Sequence, residues 1–300
     1  MSSTAMPKTR LNLRETLGVM SVLAERNFRL MTRFSASAVM FYIGVFADAA
    51  ISAFLGTALI GQAQAAQIGG DYVSYVIVGL AYSQLMYTSI SAPHQSLSGA
   101  YWSARLEPLL RAPLPLRTII MGDALFSYFT DFVTIAIYGL VGILFGMAMP
   151  SSGVILPAAG ILVLGCVSVL GFGFLSASMF NLINAKAPVA NSEPVQWLVR
   201  TLQRLVCGVY FPVTALPGWL QTVGNFMPQT YVLDAVRRLL IPNYPKGPTL
   251  PVHSSFGLDP QVANLIAIAV LTAFILPLGL WAFDKGLEKA RKDGGLSRWT

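Results

Sequence analysis

From Phe132 to Ala185 the chain runs for 54 residues without an Asp, Glu, Lys or Arg. Few folds can hold such a stretch. It is too apolar to coat a water-soluble surface, and a bilayer is crossed by a helix of only about 20 apolar residues. The run therefore needs two crossings, and Met149-Pro-Ser-Ser-Gly153 divides it. The rest of the chain agrees: hydrophobic residues make up 55% and charged residues 11%, against about a quarter charged in an ordinary soluble domain. A disordered chain is excluded by the same composition. Backbone groups in lipid must pair internally, so the apolar runs read as helices.

The fold expected is an all-α polytopic membrane protein with six transmembrane helices, at about 34–60, 73–92, 119–148, 154–183, 195–213 and 261–283. Residues 1–33 form an N-terminal tail and amphipathic helix, with Leu13, Leu17, Met20, Ala24, Phe28 and Met31 at helical spacing, lying on the membrane surface. Residues 284–300 form a basic tail. No signal peptide is expected, because the early basic residues are not followed by a short apolar run ending at a cleavage site.

Residues 216–240 are apolar but broken by Pro217, Gly218, Gly224 and Pro228, and read either as a seventh span or as external re-entrant helices. Charge decides. With six spans and the N-terminus inside, seventeen of the twenty basic residues fall inside, leaving only Arg237, Arg238 and Lys246 outside. A seventh span would send the basic tail outward, against the positive-inside rule. Six spans with a re-entrant segment are expected, with both termini cytoplasmic and Arg200 and Arg204 snorkelling at the inner end of the fifth span.

Several chemistries lack their parts. No Gly-x-x-x-x-Gly-Lys-Ser/Thr loop is present, so nucleotide is not expected to bind in the usual way. Only two histidines, His94 and His253, are available for a metal site or a catalytic triad, so no metal is expected. Cys166 and Cys207 lie in apolar runs and read as core residues. The net charge of +7 is explained by membrane topology, and no nucleic-acid partner is expected.

Three acids lie within spans: Asp48, Asp123 and Asp131. A carboxylate at mid-membrane costs about 2.5–3.5 kcal/mol on insertion scales. The two readings are a proton or substrate relay, and interhelical hydrogen bonds to neutral polar groups. The inside segment 99–117 mixes Tyr101 and Trp102 with Arg105, Glu107, Arg111 and the leucines Leu106, Leu109 and Leu110. It reads equally as a helix docking into a partner's groove and as an interfacial helix anchored by its aromatics.

That segment also resembles a known family. Ala104-Arg-Leu-Glu107, continued by Leu109-Leu-Arg-Ala-Pro113, is similar to the Gly-Thr-Leu-Glu…Leu-Leu…Pro signature of ABC transporter type-2 permeases, with Ala104-Arg105 in place of Gly-Thr. Tyr210-Phe-Pro-Val-Thr-Ala-Leu-Pro-Gly-Trp-Leu220 and Met227-Pro-Gln-Thr-Tyr-Val-Leu-Asp-Ala-Val-Arg237 resemble that family's second conserved run. The resemblance implies a dimer, with a second copy or a homologous permease, in which each half is driven by a separate cytoplasmic ATPase. ATP and magnesium would bind that partner and no cofactor this chain. It further implies an ATPase-coupling helix at Tyr101, Trp102, Arg105, Leu106, Glu107, Leu110 and Arg111. Glu107 would tie that helix to the interfacial helix, with Arg26 or Arg29 as its partner. An external gate would include Pro212, Leu216, Pro217 and Trp219. The implied function is export of a drug, lipid or glycan-type substrate across the cell membrane, the plentiful aromatics and the absence of mid-span basic residues favouring a neutral or amphipathic cargo. The alternatives are an ion-coupled carrier using Asp48 and Asp131, and an intramembrane enzyme.

Overall fold

The computed structural model describes residues 12–33, 35–59, 71–103, 108–109, 116–183, 194–250, 252–253 and 257–292. Among these there is no strand. Nine α-helices follow in order: α1 Leu13–Arg33, α2 Ser35–Leu59, α3 Tyr72–Trp102, α4 Leu116–Leu144, α5 Ser152–Ile183, α6 Pro194–Val206, α7 Gly218–Asn225, α8 Pro228–Leu240 and α9 Pro260–Lys292. A short 3-10 turn, Val213–Ala215, precedes α7.

Five of the described helices (α2, α3, α4, α5 and α9) are long and apolar enough to cross a membrane. Four of the expected spans fall on α2, α4, α5 and α9, and a fifth on α3. That helix runs ten residues beyond the expected end at residue 92. It passes through Pro93 and closes at Ser103, whose N–H returns to Gly99 O. It is also the central element: 78% of its most apolar window is buried, against 11–33% for the other four. The last helix likewise continues past residue 283, to Lys292.

The expected span 195–213 is corrected. Here α6 has only 13 residues and stops at Val206; at 1.5 Å per residue it covers about 20 Å of a roughly 30 Å hydrocarbon core. Gly208 ends it with φ +79°, a left-handed position that glycine takes without steric cost. The position of Arg200 is corrected too. Its guanidinium lies 4.4 Å above the ring of Tyr87, halfway along α3, rather than at an inner helix end. The reason is that α6 packs antiparallel beside the middle of α3, with Gln196 at Tyr87 and Gln203 at the Ser83 carbonyl.

The segment 216–240 is two short helices, α7 and α8, separated at Phe226–Met227. At its start Tyr82 donates to the Gln229 carbonyl at 2.8 Å, and at its end Arg237 donates to the Tyr75 carbonyl at 2.9 Å, so α8 climbs antiparallel to α3. Val232 packs at Gly165 of α5 and near Met86, which puts the first half of α8 near the middle of both long helices. Every residue from Pro228 to Arg237 is buried.

Two close approaches fix α9 on α5. Gly279 meets the backbone of Gly171, and a Cβ on Gly286 would lie 3.0 Å from Ser178 O. The offset is the same at both points, so the helices are parallel. Two parallel helices consecutive in a bundle require the chain between them to return from one end to the other. The stretch containing α6, the break and α8 makes that return. Arg117, opening α4, meets Asp284 of α9 at 2.5 Å. The α1 helix lies along the first half of α4, with the Phe28 and Phe129 rings edge to face at 6.4 Å. The start of α4 and the ends of α3, α5 and α9 thus share one end of the bundle with α1.

Candidate functional site

At that end, three helices converge on one carboxylate. Arg26 of α1 donates to Asp123 Oδ1 at 2.9 Å, Asn27 Nδ2 donates to the same oxygen at 3.1 Å, and Ser96 of α3 donates to Oδ2 at 2.7 Å. Asp123 stands on the second turn of α4. A cavity of about 210 Å³ opens beside it, lined also by Gln95 and Ser127. A half-buried ion pair carrying two further hydrogen bonds is well compensated for an interfacial position. It joins α1 to the end of α3 from which the chain departs towards residues 104–115.

Arg26, offered as a partner for Glu107, is therefore engaged with Asp123. Arg29 pairs with Glu25 one turn back, at 2.5 Å, on the exposed face. Glu107, Arg105, Leu106, Leu110 and Arg111 lie outside the described residues, as does the side chain of Trp102. Tyr101 is the penultimate residue of α3. It packs, with Leu109, on the small core formed by Leu97, Ile120, Phe174 and Phe283. The partners Asn27 and Ser96 were missed in the sequence; the one available signal was Asn27 following Arg26 on a helix otherwise apolar toward the membrane.

At the opposite end the break after α6 is organised by Arg237. Its Nη1 donates to Gly208 O at 2.7 Å, and its Nη2 donates to Val209 O and Tyr75 O at 2.9 Å. The guanidinium carbon lies 3.4 Å over the Tyr75 ring, and Tyr75 OH also donates to Gly208 O, at 2.8 Å. Carbonyls released where α6 ends would be orphaned in a dry interior; a planar fork of donors satisfies them. Arg237 is 2% exposed. It was read only as an external charge, although an arginine within a buried helix demands such partners.

Next to it, Asp234 accepts from Arg238 Nε at 2.6 Å, Asn264 Nδ2 at 2.7 Å, Thr249 Oγ1 at 2.7 Å and Tyr244 OH at 3.0 Å. Burial of this carboxylate alone would be costly. The Arg238 charge and the hydrogen bonds from Thr249, Tyr244 and Asn264 compensate that burial. His253, also buried, accepts the Thr249 N–H at Nδ1 and faces Asn264 Oδ1 through Nε2 at 2.8 Å, which fixes the Nε2–H tautomer. The result locks the chain after α8 onto α9.

Of the residues read as a gate, Pro212 precedes the 3-10 turn and Pro217 precedes α7. Pro212 borders a cavity of about 300 Å³ shared with Tyr75, Arg237 and Tyr244. Leu216 is half-buried against the main core, and Trp219 is 69% exposed.

The intramembrane acids separate. Asp131 is 3% exposed, and Gln84 of α3 donates to it at 3.0 Å, an interhelical hydrogen bond of the kind that ties polar groups in lipid. Asp48 is exposed on α2, near enough to Tyr138 of α4 to interact with it electrostatically, as is Arg204 of α6. No group of three or more metal-ligating side chains occurs among the described residues.

The sequence matches the ABC-2 type transporter family over residues 19–241, and the chain belongs to that family. It is thus a multi-pass membrane protein and a transport subunit rather than a catalyst, of a kind that works with an ABC ATPase subunit. No curated protein is matched.

Proposed function

We propose that the chain is the membrane-spanning half of an ABC exporter in the cell membrane, with both termini cytoplasmic, and that it crosses the bilayer six times, the fifth passage being made by α6 and the broken segment after it. The observation that carries this reading is the convergence at Asp123. The interfacial helix, the end of α3 and the start of α4 are tied into one unit directly beside residues 104–115, where the family resemblance puts the ATPase contact. A push delivered through that stretch of sequence would reach α1, α3 and α4 together.

Dimerisation is supported by what the single chain leaves uncovered. Asp48, Arg200 and Arg204 are exposed on membrane-depth helices. Charges there face a protein partner or a water-filled path, because lipid contact is costly. Two copies meeting through α2 and α6 would enclose them. Such a path would carry one carboxylate and two guanidinium groups per chain, so the absence of mid-span cations no longer argues for a neutral cargo; an amphipathic drug, lipid or glycan moved outward suits it best. The ion-coupled carrier reading would need a water path to Asp131, which is 3% exposed with one carboxylate oxygen held by Gln84.

The test is co-reconstitution with candidate ATPase subunits. ATP-dependent transport, lost in Glu107→Ala while the protein still assembles, is the expected result. Unchanged transport in Glu107→Ala would remove the coupling assignment. Transport that persists without any ATPase and is abolished in Asp131→Asn would establish the carrier instead.

A further inference from the structure

A groove of about 570 Å³ runs between the ends of α5 and α9, on the same end of the bundle as Asp123 but on a different face. Its floor is Leu175 and Met179 of α5 with Trp281 and Ala282 of α9; its rim is Lys285, Lys289 and Lys292. The walls cannot part easily, because Gly286 packs at van der Waals distance on the backbone of Ser178. The lysines recur every three or four residues and so share one face of α9. Glu288 is the single acid on the rim; it pairs with Lys292 at 2.8 Å and with Lys285 at 3.6 Å. Lys289 has no ion pair among the described residues. Three cations against one anion leave the rim positive by two charges.

We propose that this groove binds an anionic phospholipid, with its phosphate-bearing headgroup among Lys285, Lys289 and Lys292 and its acyl chains along Leu175, Met179 and Trp281. The order of chemistry along α9 argues for a lipid over a protein. The helix changes from apolar to cationic within three turns, as a bilayer changes from acyl chain to headgroup, and a basic pocket between transmembrane helices suits an anionic headgroup. Trp281 is 61% exposed at that boundary, where an indole ring is favoured. A zwitterionic lipid would fill the floor equally well and leave the rim charge unmatched. The groove makes no use of the Asp123 cluster, so the assignment stands apart from the transport reading.

The probe is brominated lipid, whose bromines quench a tryptophan that they touch. The full chain in detergent micelles is titrated with brominated phosphatidylglycerol or brominated phosphatidylcholine, and the quenching lost in Trp281→Phe reports the groove. Saturable quenching that prefers phosphatidylglycerol is expected, with the preference falling about fivefold in Lys289→Gln and about fivefold again for each further lysine replaced. All three lysines are exposed, and Lys289→Gln disturbs no ion pair, so these variants keep the fold. Equal quenching by both lipids would overturn the proposal, as would a preference that survives replacement of all three lysines. Displacement of brominated phosphatidylglycerol by millimolar inorganic phosphate would show a phosphate site and not a lipid site, and would overturn it as well.

Discussion

Arg26 on the first helix and Asp123 on the fourth lie 97 positions apart in sequence and meet at 2.9 Å. The contact converts a surface-lying helix into part of the bundle. Its side chains are 36% and 20% exposed, so solvent screens it and the pair itself is worth at most about 1 kcal/mol. Arg26→Ala and Asp123→Ala should each lower thermal stability slightly, and the double variant by less than the sum. A double-mutant cycle in detergent checks this; strict additivity would mean that the two residues do not interact. Both single variants should also lower ATPase stimulation at equal expression.

Arg237 should be far less tolerant. Replacement by Met removes donors from three buried carbonyls; Gly208 O keeps the Tyr75 hydroxyl, so Val209 O is the one most exposed to the cost of about 1–3 kcal/mol for an orphaned buried group. The variant should fail to give a monodisperse protein, and Arg237→Lys, with no planar fork, should recover only part of the loss. Wild-type thermal stability in Arg237→Met would show that the break after α6 is held by something else.

Much of this architecture was legible in the sequence. Long apolar runs with few charges place α2, α4, α5 and α9, even with Asp48, Asp123 and Asp131 inside them, because lipid selects on composition and length. The division of 216–240 into two short helices showed through its prolines. What was missed depended on partners far away in sequence. The expected span stopped at residue 92, short of the end of α3; Gln95 there is exposed, and Ser96 is bonded to Asp123. The stop at Val206 is set by Gly208, whose carbonyl accepts from Arg237 and Tyr75, both distant in sequence. Arg200 looked like a phosphate anchor because sequence shows charge but not the Tyr87 ring beneath it. Asp123 was singled out as an acid within a span, but its partners Arg26, Asn27 and Ser96 lie on other helices.

Asp234 should be hard to replace. Asp234→Asn keeps the size of the side chain but removes the charge that faces Arg238 at 2.6 Å, leaving a buried guanidinium without its ion partner. Thermal stability in detergent should fall by about 1–3 kcal/mol. A melt identical to the wild type would show that Arg238 is held by its carbonyl partners alone.

Close packing of α5 on α9 predicts a sharp contrast between two glycines. A Cβ on Gly171 would lie 2.5 Å from the Ile275 carbonyl, whereas one on Gly160 meets nothing within 4 Å. Gly171→Ala should cost about 1–3 kcal/mol by overpacking. Gly160→Ala on the same helix should be neutral or stabilising by up to about 1 kcal/mol. Thermal melts of the two variants decide, and equal effects would refute the parallel contact.

The account depends most on which side of the membrane carries the end of α3. Ser103, exposed at that end, can be replaced by Cys in a background with Cys166→Ser and Cys207→Ser, and treated with a membrane-impermeant maleimide in right-side-out and inverted vesicles. Labelling confined to inverted vesicles is the predicted result. Labelling of Ser103→Cys from the outer face would put the ATPase-docking end outside the cell and contradict the mechanism.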